Sequence, residues 1–239
     1  MNSNPPTATE GLETPRRSLA SPAIISLVLS LASFGLAGWA WSHVPAGARI
    51  PTHWNFAGKA DAFGDRSSLF LLPAVMLALN LLLLVIPRLD PRKGHLLRSS
   101  RAYAAIWLAL AGLLTALNIT VTRAALGYPT AMEKWLLPSV GLMLVVIGNY
   151  LGKIRSNFFV GIRTPWTLSS ERSWNKTHRL GGWVFVGVGL LLMAAGAIQP
   201  PTRIVARGFL VVLLLMTLWL TVYSYLVWRS DPDRAVKRT

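Results

Sequence analysis

The sequence predicts an all-α integral membrane protein with six transmembrane helices. Only 14% of its residues are charged and 53% are hydrophobic, whereas soluble domains contain roughly 25% charged residues. Six long windows contain no Asp, Glu, Lys or Arg, at 18–48, 67–87, 102–122, 135–152, 180–202 and 208–228. Each window supplies most or all of the roughly 20 apolar residues that cross a bilayer as a helix.

The basic residues are distributed unevenly between the two ends of these helices. Of the 24 Lys and Arg residues, 17 lie in the two chain tails and in the second and fourth loops, and 7 lie in the other loops. The positive-inside rule places the richer side, and therefore both termini, in the cytoplasm. Because topology and anionic lipid headgroups already account for the net charge of +15, no direct nucleic-acid binding is predicted.

The six helices lie between two polar tails. Residues 1–18 are predicted to form a disordered cytoplasmic tail, since they combine several Pro, Ser and Thr residues with few apolar ones. Residues 229–239 are predicted to form a basic cytoplasmic tail.

The limits of the helices follow from the apolar windows and their flanking residues. They are approximately 19–41, 69–86, 102–121, 135–151, 180–198 and 209–228. In the first helix Ala32, Gly35 and Gly38 have the small-residue spacing that lets membrane helices pack closely, and five glycines predict a tightly packed fifth helix. Asn118 in the third helix is expected to hydrogen-bond a neighbouring helix.

The chain divides into two halves, 19–122 and 123–228, with three predicted helices each. The first half contains a long extracytoplasmic loop at 43–68, and the second contains a long cytoplasmic segment. Since the second half enters the membrane from the opposite side, we predict a possible 3+3 inverted repeat. The pattern Ile-x-Thr-x-Trp occurs in both long connections, at 50–54 and 162–166.

The extracytoplasmic loop contains His53, Asp61 and Asp65, which are ligand types that could hold a metal ion. Their spacing is loose, and the aspartates beside Gly64 are equally typical of turns. The prediction is therefore that the loop holds no metal and that the chain needs no cofactor.

The predicted spans contain no ionisable residue at mid-membrane depth, and the chain has no cysteine. Ionisable groups within the membrane usually mark proton relays, ion pathways and buried catalytic sites. Their absence from the sequence disfavours a pump or an intramembrane enzyme.

The longest polar interruption between the helices runs from 148 to 182. Lys153 and Arg155 follow the fourth helix, at the level of lipid phosphates. The run Arg-Thr-Pro-Trp at 163–166 predicts an extended corner, because proline disfavours helix in the residue before it.

A short amphipathic helix is predicted after this corner. Ser169 or Ser170 can cap it, and Glu171, Trp174 and His178 would share one face. Three interpretations are open: a packing and topology element, an acid–base pair of His178 and Glu171 acting on a lipid or peptide, or a recognition platform. Trp and Arg favour recognition, since they concentrate binding energy at interfaces.

The residues of this segment resemble the signature of the SdpI family of bacterial membrane proteins. The matching runs are Gly148 to Leu151, Lys153 to Arg155, Asn157 to Phe159, Gly161 to Leu168, Trp174, and Thr177 to Arg179. The site residues predicted in the segment are Asn149, Arg155, Asn157, Gly161, Arg163, Thr164, Pro165, Trp166, Trp174, Thr177, His178 and Arg179. The extracytoplasmic loop resembles a small domain of unknown function that often precedes this signature, through Pro51, His53, Gly58, Asp61 and Gly64.

The resemblance implies a multi-pass protein of the bacterial inner membrane that gives immunity against a membrane-active toxin peptide. It also implies signalling through a transcriptional repressor that binds at the cytoplasmic side, with the toxin peptide outside and membrane lipids as further partners. No catalytic residue is predicted. The alternatives are a transporter of a small or lipidic substrate and a membrane-bound enzyme.

Overall fold

The computed structural model describes residues 19–55, 57–92, 94–128 and 132–234. The predicted tail at 1–18 and residues 235–239 of the predicted basic tail lie outside these ranges. In chain order the helices are α1 (Ala20–His43), α2 (Leu71–Leu89), α3 (His95–Arg98), α4 (Ser100–Ala125), α5 (Met132–Leu151), α6 (Pro165–Ser169), α7 (Glu171–Ile198) and α8 (Thr202–Arg229). Two strands, β1 (Ile50–Trp54) and β2 (Ala60–Gly64), lie between α1 and α2.

The fold is all-α with six membrane-spanning helices, which confirms the predicted class. Within the described residues α1, α2, α4, α5, α7 and α8 are long and apolar enough to cross a bilayer. Large aliphatic side chains cover their outer surfaces, as Leu191 and Leu214 illustrate with 69% exposure each. Such surfaces are stable only against lipid, so the helices form a multi-pass membrane bundle.

The fifth spanning helix begins about nine residues earlier than predicted. The sequence indicated a short separate helix before residue 180, but α7 is continuous from Glu171 to Ile198. The Ser170 hydroxyl caps it by accepting the Ser173 N–H (3.0 Å). The separate interfacial helix was a wrong prediction, because no proline interrupts the helical hydrogen bonds after Ser170.

The loop between the first two spanning helices contains an antiparallel hairpin that was not predicted from the sequence. Ile50 pairs with Gly64 and Trp54 with Ala60. The turn is closed by Asn55, whose side-chain oxygen accepts the N–H groups of Ala57 (2.9 Å) and Lys59 (3.2 Å). We call β1, β2 and this turn the hairpin.

The hairpin is attached to the bundle by a small apolar core. The buried members of this core come from α1, β1 and the start of the second span: Ala37, Ala40, Val44, Ile50 and Leu69. The end of α4 packs against them through Val121 and Ala125. The hairpin is therefore held over one end of the bundle.

Helix α1 packs through a different face from the predicted one. Ala32, Gly35 and Gly38 are exposed, and a side chain added at either glycine would meet no atom within 4 Å. The buried face carries other small residues at a seven-residue repeat: Ser26, Ser30, Ser33, Ala37 and Ala40. The predicted role of Asn118 is confirmed, since its amide, 1% exposed, donates to the Ser33 carbonyl at 3.4 Å.

Helices α5 and α7 pack antiparallel with their backbones in contact. A Cβ added to Gly148 would lie 2.6 Å from the Gly182 carbonyl oxygen, and one added to Gly141 would lie 2.5 Å from that of Gly189. These glycines recur every seven residues on both helices, so the contact continues along one seam. The prediction of a tightly packed fifth helix is confirmed, although Gly187 does not take part.

The inverted repeat stays a prediction. In the first half α1 packs against both α2 and α4, whereas in the second half the main contacts run from α5 to α7 and from α7 to α8. The shared pattern also adopts two local structures. Thr52 lies in a strand, whereas Thr164 caps a helix.

We call the contact made by Gly141, Gly148, Gly182 and Gly189 the glycine seam. It predicts how the bundle responds to added methyl groups. Gly182→Ala should destabilise the protein by roughly 1–3 kcal/mol, the cost of overpacking, because the Cβ would lie 2.7 Å from the Gly148 carbonyl oxygen. Thermal unfolding in detergent measures the effect. Gly187→Ala is the matched control on the same helix, where the Cβ meets open space; equal unfolding midpoints for the two variants would contradict the seam.

Candidate functional site

Residues 90–92, 94–99 and 152–170 together close the end of the bundle opposite the hairpin, and we call them the polar cap. Residues 152–170 connect α5 to α7, and the others lie between α2 and α4. Because α5 and α7 are in backbone contact, their connection must fold back over the ends of the helices. Its polar groups then need partners within the protein.

Asn157 organises the first turn of the connection. Its amide nitrogen donates to the carbonyls of Arg155 (3.0 Å) and Val160 (2.9 Å). Its side-chain oxygen accepts the N–H groups of Phe159 (2.9 Å) and Val160 (2.7 Å). Asn157 is fully buried, so its amide replaces water for four backbone groups.

Trp174 and His178 hold the rest of the connection against α7. Both side chains are 0% exposed, and their rings stack with centroids 3.9 Å apart. The Trp174 indole donates to the Ile154 carbonyl (2.8 Å), and His178 Nε2 accepts the Ile162 N–H (2.9 Å). The proton of His178 is therefore on Nδ1, which donates to the Trp174 carbonyl (2.8 Å).

The geometry does not support the interpretation of His178 and Glu171 as an acid–base pair. Both ring nitrogens of His178 are bonded to backbone groups, whereas Glu171 is exposed. Gly161 lies directly against the imidazole, where a Cβ would collide with Nε2, and its φ of +125° suits glycine. His178 thus has a positioning role for the connection.

An extended corner was predicted at 163–166. The backbone is extended at Thr164 but becomes helical at Pro165. Thr164 has φ −109° and ψ 162°, and α6 begins at Pro165, the position where a helix loses nothing by lacking an N–H. Thr164 and Thr167 form a reciprocal capping box. The Thr164 hydroxyl also lies 2.9 Å from that of Ser224, which attaches the corner to α8.

The second loop is part of the site. From the sequence, only a role as an orientation signal was predicted for it. The Arg92 guanidinium donates to the Ser156 hydroxyl and the Leu168 carbonyl. His95 Nδ1 pairs with the Ser156 carbonyl (2.8 Å), and the Ser99 hydroxyl accepts the Arg155 N–H (2.9 Å). An orientation signal needs only basic residues, but this loop also contains Asp90, His95 and Ser99. These additional hydrogen-bonding side chains are the feature of the sequence that could have indicated a structural role.

The predicted site residues separate into buried and presented sets. The buried or backbone-shaping residues are Asn157, Gly161, Thr164, Pro165, Trp174, Thr177 and His178. The exposed ones are Asn149, Arg155, Arg163 and Arg179. Trp166 is partly exposed and packs edge-on against Tyr225, with centroids 5.2 Å apart.

A polar cleft of about 280 Å³ opens in the cap. It is lined by His95, Arg155, Ser156, Glu171 and Asn175. The cleft combines cationic, anionic and amide groups at its wall.

The five site residues predicted in the loop between the first two spanning helices, Pro51, His53, Gly58, Asp61 and Gly64, lie in the hairpin. His53 Nδ1 and Asp61 Oδ1 are 2.6 Å apart on neighbouring strands, and Gly58 occupies the turn with φ +73°. Pro51 lies in β1, and Gly64 ends β2 where a Cβ would collide with Ser68.

The alternative metal ligand Asp65 does not join His53 and Asp61. It caps the 3-10 helix at Arg66–Phe70, and hydrogen bonds from the Ser67 hydroxyl and N–H lower the pKa of its carboxyl group. Over the described ranges, no group of three or more His, Cys, Asp or Glu side chains could hold a metal ion.

The four hydrogen bonds of Asn157 predict that it stabilises the cap. Asn157→Ala should cost on the order of 2–4 kcal/mol, since each bond contributes about 1 kcal/mol. The side chains of Arg155 and Arg163 are already exposed, and a loosened cap should give trypsin access to the backbone after them, so the rate of cleavage at these sites measures the effect. Asn149→Ala, which removes an exposed amide nearby, is the control, and trypsin should cleave it at the wild-type rate. Equal cleavage rates for the two variants would contradict the role of Asn157.

Comparisons with known proteins cover both ends of the bundle. The SdpI/YfhL protein family matches residues 153–225, which contain the connection, α7 and most of α8. A domain of unknown function, DUF1648, matches residues 28–77, which contain the hairpin. No solved structure matches the chain.

A relative is similar in sequence over nearly its whole length. The chain is 26% identical over 204 residues to the immunity protein SdpI of Bacillus subtilis (strain 168), covering 84% of this chain and 94% of that protein. The match thus extends over both predicted halves and both polar ends. Together with the match of residues 153–225 to the SdpI/YfhL family, it confirms the resemblance to that family found in the sequence.

Proposed function

We propose that this chain is a membrane immunity protein that protects a bacterial cell against a membrane-active toxin peptide and signals to a cytoplasmic repressor. The similarity to an immunity protein over nearly the whole of both chains carries the proposal. The structure supports it because two polar regions, the hairpin and the polar cap, lie at opposite ends of one bundle. Such a protein can contact one partner on each side of a membrane.

The hairpin is suited to bind a peptide. The side chains of Thr52, His53, Asp61, Ala62 and Phe63 are exposed on its two strands. Phe63 is 43% exposed, and the Arg49 guanidinium lies 5.3 Å from its ring centroid. An exposed strand offers main-chain hydrogen bonds to an extended peptide, and an aromatic ring offers an apolar anchor.

The polar cap is suited to bind a cytoplasmic protein. Its buried residues hold a rigid framework, and Arg155, Arg163 and the polar cleft face outward from it. A rigid basic surface favours association with an acidic partner, since opposite charges raise the rate of encounter.

The transport alternative has less support. A substrate path lined by Asn118 and Asn149 would favour it, but the two amides lie apart. Asn118 is buried between α1 and α4, whereas Asn149 lies in a groove between α5 and α7. The enzyme alternative also has less support, because both ring nitrogens of His178 are bonded to backbone groups.

Protection can be tested by complementing a deletion strain and challenging it with membrane-active peptides. Phe63→Ser should fail to restore resistance, with peptide affinity reduced roughly tenfold, because an aromatic anchor is worth more than about 1 kcal/mol. Phe158→Ser is the control, an exposed phenylalanine (49%) at the opposite end of the bundle. Resistance equal to wild type in the Phe63 variant, at normal protein level, would refute binding by the hairpin.

The proposed orientation can be tested with single cysteines, since the natural chain has none. A membrane-impermeant maleimide should label Ala62→Cys in intact cells, because the hairpin is placed outside. Lys176→Cys, exposed at the start of α7, should react only after the membrane is permeabilised. The reverse pattern would place the cap outside and overturn the assignment of partners to sides.

A further inference from the structure

A groove of about 540 Å³ lies between α5 and α7 at the polar-cap end. Its walls carry Asn149, Lys153, Arg179, Trp183 and Val186. We call it the interhelical groove. It is separate from the polar cleft, with which it shares no lining residue.

The groove exists because the glycine seam ends there. Gly148, Gly152 and Gly182 form part of its wall. Without side chains at these positions the two helices approach closely, and the space beside the seam stays open to the surroundings. The cavity is thus a direct product of the main helix contact.

One end of the groove is cationic. Lys153 and Arg179 are both exposed, and neither has a carboxylate partner among the residues that the structure describes. The Lys153 ammonium lies 4.7 Å from the Tyr150 ring centroid, and Lys153 itself lines the groove. The exposed amide of Asn149 adds a neutral donor and acceptor beside the two charges.

The other end of the groove is apolar and leads into the bilayer. Arg179 is the last charged residue before the apolar part of α7, and 180–198 has the roughly 20 residues that cross the hydrocarbon core. The cationic end therefore lies at the level of the lipid headgroups. Trp183, 74% exposed, and Val186 lie one and two turns deeper.

We propose that the interhelical groove binds an anionic phospholipid. Lys153 and Arg179 hold the headgroup phosphate, Asn149 hydrogen-bonds the headgroup, and an acyl chain lies along Trp183 and Val186. A basic pocket between membrane helices matches a phosphate in charge, and the polarity gradient along the groove matches an amphiphile. This site is independent of the toxin and repressor partners proposed above.

Binding can be measured on the purified protein in neutral detergent. Short-chain phosphatidylglycerol should bind at least about tenfold more tightly than phosphatidylcholine of the same chain length, because surface Lys and Arg residues each favour an anionic lipid. Lys153→Gln/Arg179→Gln should remove this preference. Arg172→Gln/Lys176→Gln removes the same charge from exposed positions of α7 outside the groove, and it should keep the preference.

Two further measurements separate a lipid site from a phosphate site or a diffuse basic surface. Val186→Trp fills the apolar end and keeps both cations, so it should weaken phosphatidylglycerol binding if the acyl chain occupies the groove. Inorganic phosphate should bind far more weakly than phosphatidylglycerol. The proposal fails if both charge-removed variants lose the lipid equally, if Val186→Trp binds as wild type does, or if inorganic phosphate competes at the same concentration as the lipid.

Discussion

The backbone contact between α5 and α7 is the interaction on which the rest of this structure depends. Gly141, Gly148, Gly182 and Gly189 let two antiparallel helices touch without intervening side chains. In a bilayer, where apolar burial between helices gives little driving force, such close packing and backbone contact provide the attraction. The contact places Leu151, the last residue of α5, beside Gly181 and Gly182, ten residues after the start of α7, so the 19-residue connection has to fold back along the first turns of α7.

That constraint explains the unusual residue types of the connection. A folded-back segment carries backbone N–H and C=O groups that helices and sheets do not satisfy, and leaving them buried without partners is costly. Asn157, Trp174 and His178 supply those partners from side chains. A signature that looks like a recognition motif in the sequence is therefore largely a folding motif, and the arginines that it presents are the residues that we propose for recognition.

The two ends of the bundle are built by different means, and this difference suits a protein with a partner on each side of a membrane. The hairpin is attached by apolar packing and exposes most of its own strands. The polar cap is attached by hydrogen bonds and exposes cations and a cleft. The interhelical groove adds a third surface at the headgroup level, where lipid composition could act on the same helix pair that holds the cap.

The sequence by itself determined the membrane class, the six spans and the tight packing of α7, because charge-free length and small-residue content are local properties. It did not determine which face of α1 packs, since Ala32, Gly35 and Gly38 are as small as the residues that are buried instead. Nor did it show that His178 faces inward or that the second loop joins the cap. Those facts depend on which groups the folded backbone brings together. The pairing of glycines between α5 and α7, which sets this arrangement, is visible only in the tertiary structure.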